Sequence, residues 1–303
     1  MASFRQLSEK LAHLTQLRIA VKLPIIITTS ALLLAIGLGV TTMQMSAQGT
    51  TDGLNGILQS RKKALTDYLS SIEQDVRING ANPTVVTALI QFAGAWGTMG
   101  SGQAEKLQQA YITNNPHPIG EKENLDYAED GSPYSYKHRR YHPWFRTLLR
   151  QRGYYDIFLF DIDGNLLYSV FKENDFATNM ISGQWKDTDL GKAFRAAMES
   201  DTPGSLHYFD FKPYAPSNNA PASFISTPVF RDNGEKVCVR AFQMPIDRIN
   251  AVMSQSDGLG ESGETLIVGS DELLRNDSRF SEEDDILTTS FSFEGIDSVF
   301  QGN

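Results

Sequence analysis

The sequence predicts an α+β fold attached to one membrane-crossing helix, and three observations carry that prediction. Residues Leu23 to Met43 (LPIIITTSALLLAIGLGVTTM) include no charged side chain, and about 20 apolar residues is what one helix needs to cross ~30 Å of hydrocarbon. Beyond that run, apolar residues recur at helical spacing as far as Ile112, and from Tyr154 the spacing changes to the alternation of strands. The order strand, strand, helix and then three strands suits an antiparallel sheet with helices on one face.

The first 22 residues place Phe4, Leu7, Leu11, Leu14 and Leu17 along one helical face, the pattern of a short amphipathic segment at the cytoplasmic interface. Arg5, Lys10, Arg18 and Lys22 precede the apolar run, whereas the next basic residues are Arg61, Lys62 and Lys63. Basic residues collect on the cytoplasmic side of a span, so 1–22 is read as cytoplasmic, 23–45 as the transmembrane helix and the remainder as periplasmic, in a bacterial inner membrane. Thr and Ser hydroxyls inside the run can bond to carbonyls one turn back, which keeps the span apolar. A cleaved signal peptide fits less well, since its apolar core is only ~7–15 residues and ends in an A-x-A-like site. Ser46-Ala47-Gln48 is a weak version of such a site.

Residues 46–113 form a helical region. Ile57, Leu58, Leu65, Tyr68, Leu69, Ile72 and Val76 keep helical spacing to Arg77, Gly80-Ala81-Asn82-Pro83 breaks the run, and Pro83 opens a second helix to Ala95. Gly94 to Gly102 reads as a flexible turn, Lys106 to Ile112 as a third helix, and Asn114 to Pro118 as an extended turn. The stripe Leu58, Leu65, Leu69, Ile72 has two readings: packing between the rods of a homodimer, or packing onto its own domain.

Residues 114–257 read as one domain. Tyr154 to Phe160 and Leu166 to Phe171 make a hairpin around Asp161-Ile162-Asp163-Gly164-Asn165, and Leu190 to Glu199 is a helix. Strands follow at Leu206 to Phe211, Ala222 to Phe230 and Lys236 to Gln243, the last two joined at Arg231-Asp232-Asn233-Gly234, and Ile246 to Met253 is helical. From Gly258 a second strand–turn–strand plan begins. Residues 258–303 are read as the start of another such module that the chain, truncated, does not finish.

Composition limits the function classes. The chain has 303 residues, 41% hydrophobic and 21% charged, enough to bury ordinary cores in about two domains. A formal net charge of −9 argues against nucleic acid as a partner, because phosphate binding needs a basic face. The one cysteine, Cys238, rules out an internal disulfide, and its place between Val237 and Val239 marks a buried, inert thiol.

Several motifs together resemble the double Cache family, the extracytoplasmic sensor regions of bacterial chemoreceptors, sensor kinases and nucleotide cyclases. They are the span running into a long helix, Tyr141-His142-Pro143-Trp144-Phe145, the D-x-D-G turn at Asp161, Asp163 and Gly164, and Tyr168 to Glu173. The opening Gly258 to Glu264 through Asp277-Ser278-Arg279-Phe280 belongs with them. The resemblance implies a PAS-like membrane-distal module, the start of a membrane-proximal one, and a small molecule bound outside whose effect is relayed through the membrane helix. Chemotaxis is the commonest use of such a receptor; a histidine kinase or cyclase sensor is the alternative.

The resemblance also implies where a ligand sits. Amino-acid-binding members use Arg-x-Trp-Tyr on the helix before the first strand, with an Asp after the third. Here Trp144 matches, His142 replaces the arginine and Phe145 lacks the tyrosine hydroxyl, so the two-pronged guanidinium grip on a carboxylate is absent. The expected ligand is a polar small molecule such as an amino acid or carboxylate, and the candidate residues are Tyr141, His142, Trp144, Phe145, Asp156, Asp210 and Tyr214. Each has a plainer reading: Trp144 as core, His142 as a turn cap, Asp156 as hydrogen-bonded within the fold, Asp210 as facing outward, Tyr214 as loop packing. Lys172 and Asp175 read as a pair at a strand exit.

Enzymatic readings fare poorly, and no cofactor is expected. Phe158 to Leu167 (FLFDIDGNLL) resembles the nucleophile motif of haloacid dehalogenase-like phosphatases, where two aspartates act around Mg²⁺. Asn165 stands where that family prefers Thr or Val, and no later Lys and acidic pair is well placed. A calcium loop fails because Lys172 occupies the twelfth position, where a bidentate Glu is needed. There is no G-x-S-x-G and no Cys–His pairing. An adhesion or structural ectodomain is the remaining alternative.

Overall fold

The computed structural model describes residues 18–80, 82–231, 233–293 and 296–300. The amphipathic segment read at the N-terminus lies, up to residue 17, outside the described residues. The chain divides into two units, one ending at Ser60 and one beginning at Arg61.

The first unit is helical. Helix α1 (Ile19–Gly80) takes in the whole uncharged run, and the side chains of its apolar window are exposed, long and apolar enough to cross a membrane. The hydroxyls of Thr28, Thr29 and Thr42 donate to the carbonyls of Pro24, Ile25 and Leu38 at 2.7–2.8 Å, so these polar atoms are satisfied inside the helix.

The second unit is α+β. From Arg61 onward α1 buries Ile72 and Val76, with Leu65, Tyr68 and Leu69 packed against the same core. Of the stripe that suits either a dimer seam or packing on its own domain, only Leu58 remains largely exposed. The other three residues cover their own domain, because a helix facing a sheet buries whichever face is apolar. Asn82 caps α2 (Pro83–Thr98), accepting the Thr84 N–H at 2.8 Å, with Pro83 in the first turn where its missing N–H costs nothing. Helix α2 continues three residues past the expected end: Gly94 and Gly97 stay helical, since Ala95 and Trp96 still pack on the core. Helix α3 (Gln103–Gln108) and a wider turn at Gln109–Thr113 replace the expected 106–112 helix.

Helix α4 (Pro133–Arg152) continues past Pro143 and closes at Gly153, whose φ of 75° suits glycine. Its buried stripe is Tyr134, His138, Tyr141, His142, Phe145 and Leu149. The sheet has the order β2-β1-β5-β4-β3, antiparallel throughout. Its strands are β1 (Asp156–Phe160), β2 (Leu166–Ser169), β3 (His207–Tyr214), β4 (Ala220–Phe230) and β5 (Lys236–Gln243). Helix α5 (Asp189–Glu199) lies between β2 and β3 in sequence, and α6 (Ile246–Met253) follows β5.

Helices cover both faces of the sheet, not one. Ile157, Leu159, Tyr168, Ile225 and Phe242 pack with α1, α2 and α4, while Phe158, Phe160, Leu166, Phe224 and Val239 pack with Leu190, Ala193, Phe194 and Ala197 of α5. The unbroken apolar run in β1 is the sign of a strand buried on both sides. Cys238 is fully buried in the first core, and burial pushes its thiol well above the usual range.

The expected second hairpin after Gly258 does not form strands among the described residues. Isolated bridges join Val268 to Leu274 and Leu273 to Ser290, and side chains hold the segment instead. Asn276 Oδ1 accepts the Ile267 N–H at 2.6 Å, and its amide donates to Thr265 O. A short helix, α7 (Ile296–Phe300), ends the described chain.

Candidate functional site

Between the sheet and the irregular segment after β2 lies a buried cluster of ionisable side chains. It starts at Asp156, the first residue of β1, which is fully buried. Its Oδ1 accepts the N–H groups of Ile157 at 2.6 Å and Val170 at 2.7 Å, and Oδ2 accepts the Phe171 N–H at 3.3 Å. The carboxylate thus takes the place of a strand partner where β2 leaves the sheet. Burial first, and the nearby Glu173 and Asp175 second, push its proton affinity well up.

The chain then turns sharply at Lys172, whose φ of 58° is in the left-handed region, and again at Ala177, φ 63°. That turn aims the Lys172 ammonium inward. Its Nζ donates to the Ser169 carbonyl and sits 4.2 Å from the Tyr168 ring centre and 4.9 Å from that of Phe176. Burial lowers Lys172 to about 7, against the pull of Asp156 and Asp175.

Asp175 is also fully buried. Tyr214 donates its hydroxyl to Oδ2 at 2.6 Å, while Oδ1 faces the neighbouring backbone without an aligned hydrogen bond. Burial and the charge of Glu173 raise Asp175 to about 7. Glu173 itself is held by Tyr155 Oη at 2.9 Å and by the Ser217 hydroxyl. Lys172 and Asp175, both fully buried, therefore sit where a small perturbation changes their charge.

Two histidines line the other side. His138 and His142, one turn apart on α4, stack with ring centres 4.2 Å apart. His142 Nε2 meets the Glu123 carbonyl at 2.6 Å and Nδ1 meets the Tyr168 hydroxyl at 2.7 Å. A carbonyl only accepts, so Nε2 carries the proton and Tyr168 donates to Nδ1. By the same logic His138 donates from Nδ1 to Asp126 O at 2.9 Å, which leaves Nε2 a buried bare acceptor with no partner among the described residues. Burial holds both rings neutral, well below the ordinary histidine range.

The structure brings together some of the residues singled out from the sequence and separates others. His142, Asp156 and Tyr214 belong to this cluster. Phe145 supports it from outside, 4.9 Å from Tyr168 by ring centres. Trp144 packs edge-on against Phe145 at 4.9 Å, half-buried at the core margin. Tyr141 is buried against Phe92, its hydroxyl unpartnered among the described residues. Asp210 lies apart, on the outward side of β3, gripped by both Nε and Nη2 of Arg275 at 3.1 and 2.9 Å.

Lys172 and Asp175 are not the simple pair expected at a strand exit, because each has its own partner. His138 was not singled out, although its spacing of four from His142 on an apolar helix face is the signal that pairs them. The D-x-D-G turn is occupied by its own backbone. Asp161 Oδ1 accepts the N–H groups of Asp163 and Asn165 at 3.1 and 2.8 Å, and Asn165 Nδ2 donates to Oδ2 at 2.8 Å. Such a turn needs Asp and Gly for conformation alone.

No protein-family model matches the chain, and a search of curated proteins finds no relative. Among solved structures, the chain is similar to the sensor domain of the Vibrio cholerae histidine kinase DctB, at 12% identity and a TM-score of 0.43 over 73% of this chain. It spans 64% of that chain, a little under two thirds of its length. It is also similar to the Escherichia coli DcuS sensor domain, at 13% identity and TM-score 0.27, over 54% of this chain and 97% of that one. A third similarity is to the ligand-binding domain of the Pseudomonas fluorescens chemoreceptor CtaA in complex with L-serine. There the identity is 16% and the TM-score 0.30, over 72% of this chain and 74% of that one.

Proposed function

We propose that the chain is the sensing part of a membrane-anchored receptor, and that a small zwitterionic or carboxylate-bearing molecule is read by the cluster around Lys172 and Asp175. The observation that supports this most is helix α1. One element holds a run apolar enough to cross a membrane and, from Arg61 on, side chains built into the core of the domain. A ligand that changes that core acts on the same helix that carries the anchor. For the helix to relay it, the domain must have two arrangements that bind ligand unequally.

The cluster supplies the matching chemistry. Lys172 offers a cation in aromatic surroundings for a carboxylate, and the buried Asp175 carboxyl, whose Oδ1 has no aligned hydrogen bond, offers an acceptor for an ammonium group. Asp156 is already committed to backbone N–H groups, so its part is to hold the turn. The N-terminus is cytoplasmic, the domain periplasmic and the receptor a homodimer in this reading. Its output is chemotaxis, with a histidine kinase or cyclase as the second reading.

The test is thermal unfolding of the full chain in detergent against a panel of amino acids and dicarboxylates. A ligand at 100 times its Kd adds ~2.7 kcal/mol of stability. At least one compound should raise Tm, and Lys172→Met and Asp175→Asn should each abolish the rise while remaining folded. No stabilising compound, or full stabilisation in both folded variants, overturns the proposal.

A further inference from the structure

A recess lies beside the Lys172 cluster. Where α4 ends, β4 begins and α6 begins, the segment 277–286 closes a cleft of about 500 Å³. Pockets that take small molecules span ~300–1,000 Å³ and are mostly apolar with a few placed polar groups. Tyr155 and Phe171 stand on one wall, stacked with ring centres 5.4 Å apart and planes 21° from parallel. Pro221, Pro245 and Ile286 continue the apolar lining.

The ionised groups that line it are all of one sign: Asp247, Asp277 and Asp284. None of the lining residues is Lys, Arg or His, although Arg248 lies against the backbone of Gly153 close by. Asp277 is fixed in place. Its Oδ2 accepts the Asn250 amide at 2.5 Å, and its Oδ1 accepts the N–H groups of Asp285 and Ile286 at 2.9 and 3.3 Å. Asp247 and Asp284 are exposed and keep their carboxylates for a partner.

We propose that this cleft binds a small organic cation, an amine or quaternary ammonium, with its apolar body against Tyr155 and Phe171 and its charge among these three carboxylates. An ammonium over an aromatic face is attracted by the ring quadrupole, and the carboxylates add to the same field. The site joins residues that open β1, β4 and α6 to the segment 277–286, so its occupant ties that segment to the sheet domain. Tyr155 and Phe171 border the Lys172 cluster on their other side, through Glu173 and Asp156, but Lys172 and Asp175 do not line the cleft, so the two proposals are tested by different residues.

The test is calorimetric titration of the full chain in detergent with choline, n-butylammonium and 3,3-dimethylbutan-1-ol, the neutral shape-match of choline. At least one cation should bind below about 10 mM, more weakly at high salt, and the alcohol should not. Asp247→Asn and Asp284→Asn, both at exposed positions, should each weaken the cation about five-fold, the cost of one carboxylate a few ångströms away in a high-dielectric setting. Asp175→Asn should leave cation binding unchanged. Absence of cation binding, equal binding of the alcohol, unchanged affinity in the Asp247/Asp284 double variant, or loss in Asp175→Asn would each overturn the assignment.

Discussion

At the scale of single residues, Asp156 shows how a costly group becomes structural. A buried carboxyl without partners would be expensive, yet this one accepts backbone N–H groups from Ile157, Val170 and Phe171. Asp156→Ala should therefore cost about 2–4 kcal/mol in urea unfolding, since it leaves buried donors unmet. Asp156→Asn keeps an acceptor and should cost clearly less; equal losses would show that the N–H groups find other partners. His138, like His142, contributes a pH dependence. Its folded pKa is depressed, chiefly by burial and then by His142 and Lys172. Its contribution is thus complete above the unfolded value of ~6.5 and is lost as pH falls below it. The stability advantage of the wild type over His138→Gln should shrink between pH 7 and 5, by at most ~1.4 kcal/mol per pH unit. Asp175 works in the opposite sense: its raised pKa of about 7 favours the fold at low pH, a contribution lost as pH rises to that value. Equilibrium unfolding of Asp175→Asn separates the two.

At the scale of elements, much was legible in the sequence because periodicity reports burial directly. The bounds of β5 and α6 fall where the residue pattern puts them, and the hairpin turn at Asp161 to Asn165 does too. Gly164 shows why that turn is fixed: φ is 86°, and a Cβ there would lie 2.7 Å from Ile181 Cγ1. Gly164→Ala should cost about 1–3 kcal/mol, read as a fall in Tm. What the pattern did not convey has identifiable causes. Helix α2 outlasts two glycines because tertiary packing of Ala95 and Trp96 overrides their propensity. The covering of both sheet faces is written only in the unbroken apolar run of β1. The inward turn of Lys172 depends on a positive φ that lysine rarely adopts, so the residue looked like an exposed strand exit.

At the scale of the whole molecule, the proposal rests on one helix that belongs to both anchor and domain. Val76 of α1 accepts from the buried Arg240 of β5, and Arg61 donates to Gln255 just beyond α6. These contacts bind the sheet domain to the helix at two heights. Alkaline phosphatase fused after Thr113 should be active in a bacterial host, and protease added to spheroplasts should digest the portion beyond residue 46. An inactive fusion together with protease resistance would reverse the topology. Motion along α1 is the natural quantity to follow next, and Cys238 makes it accessible. Its thiol is sealed inside the sheet core with its acidity suppressed, so it will stay silent toward maleimides in the folded chain. A spin label or dye placed on a new surface cysteine would report on that single position, with the native sulfur left where it is.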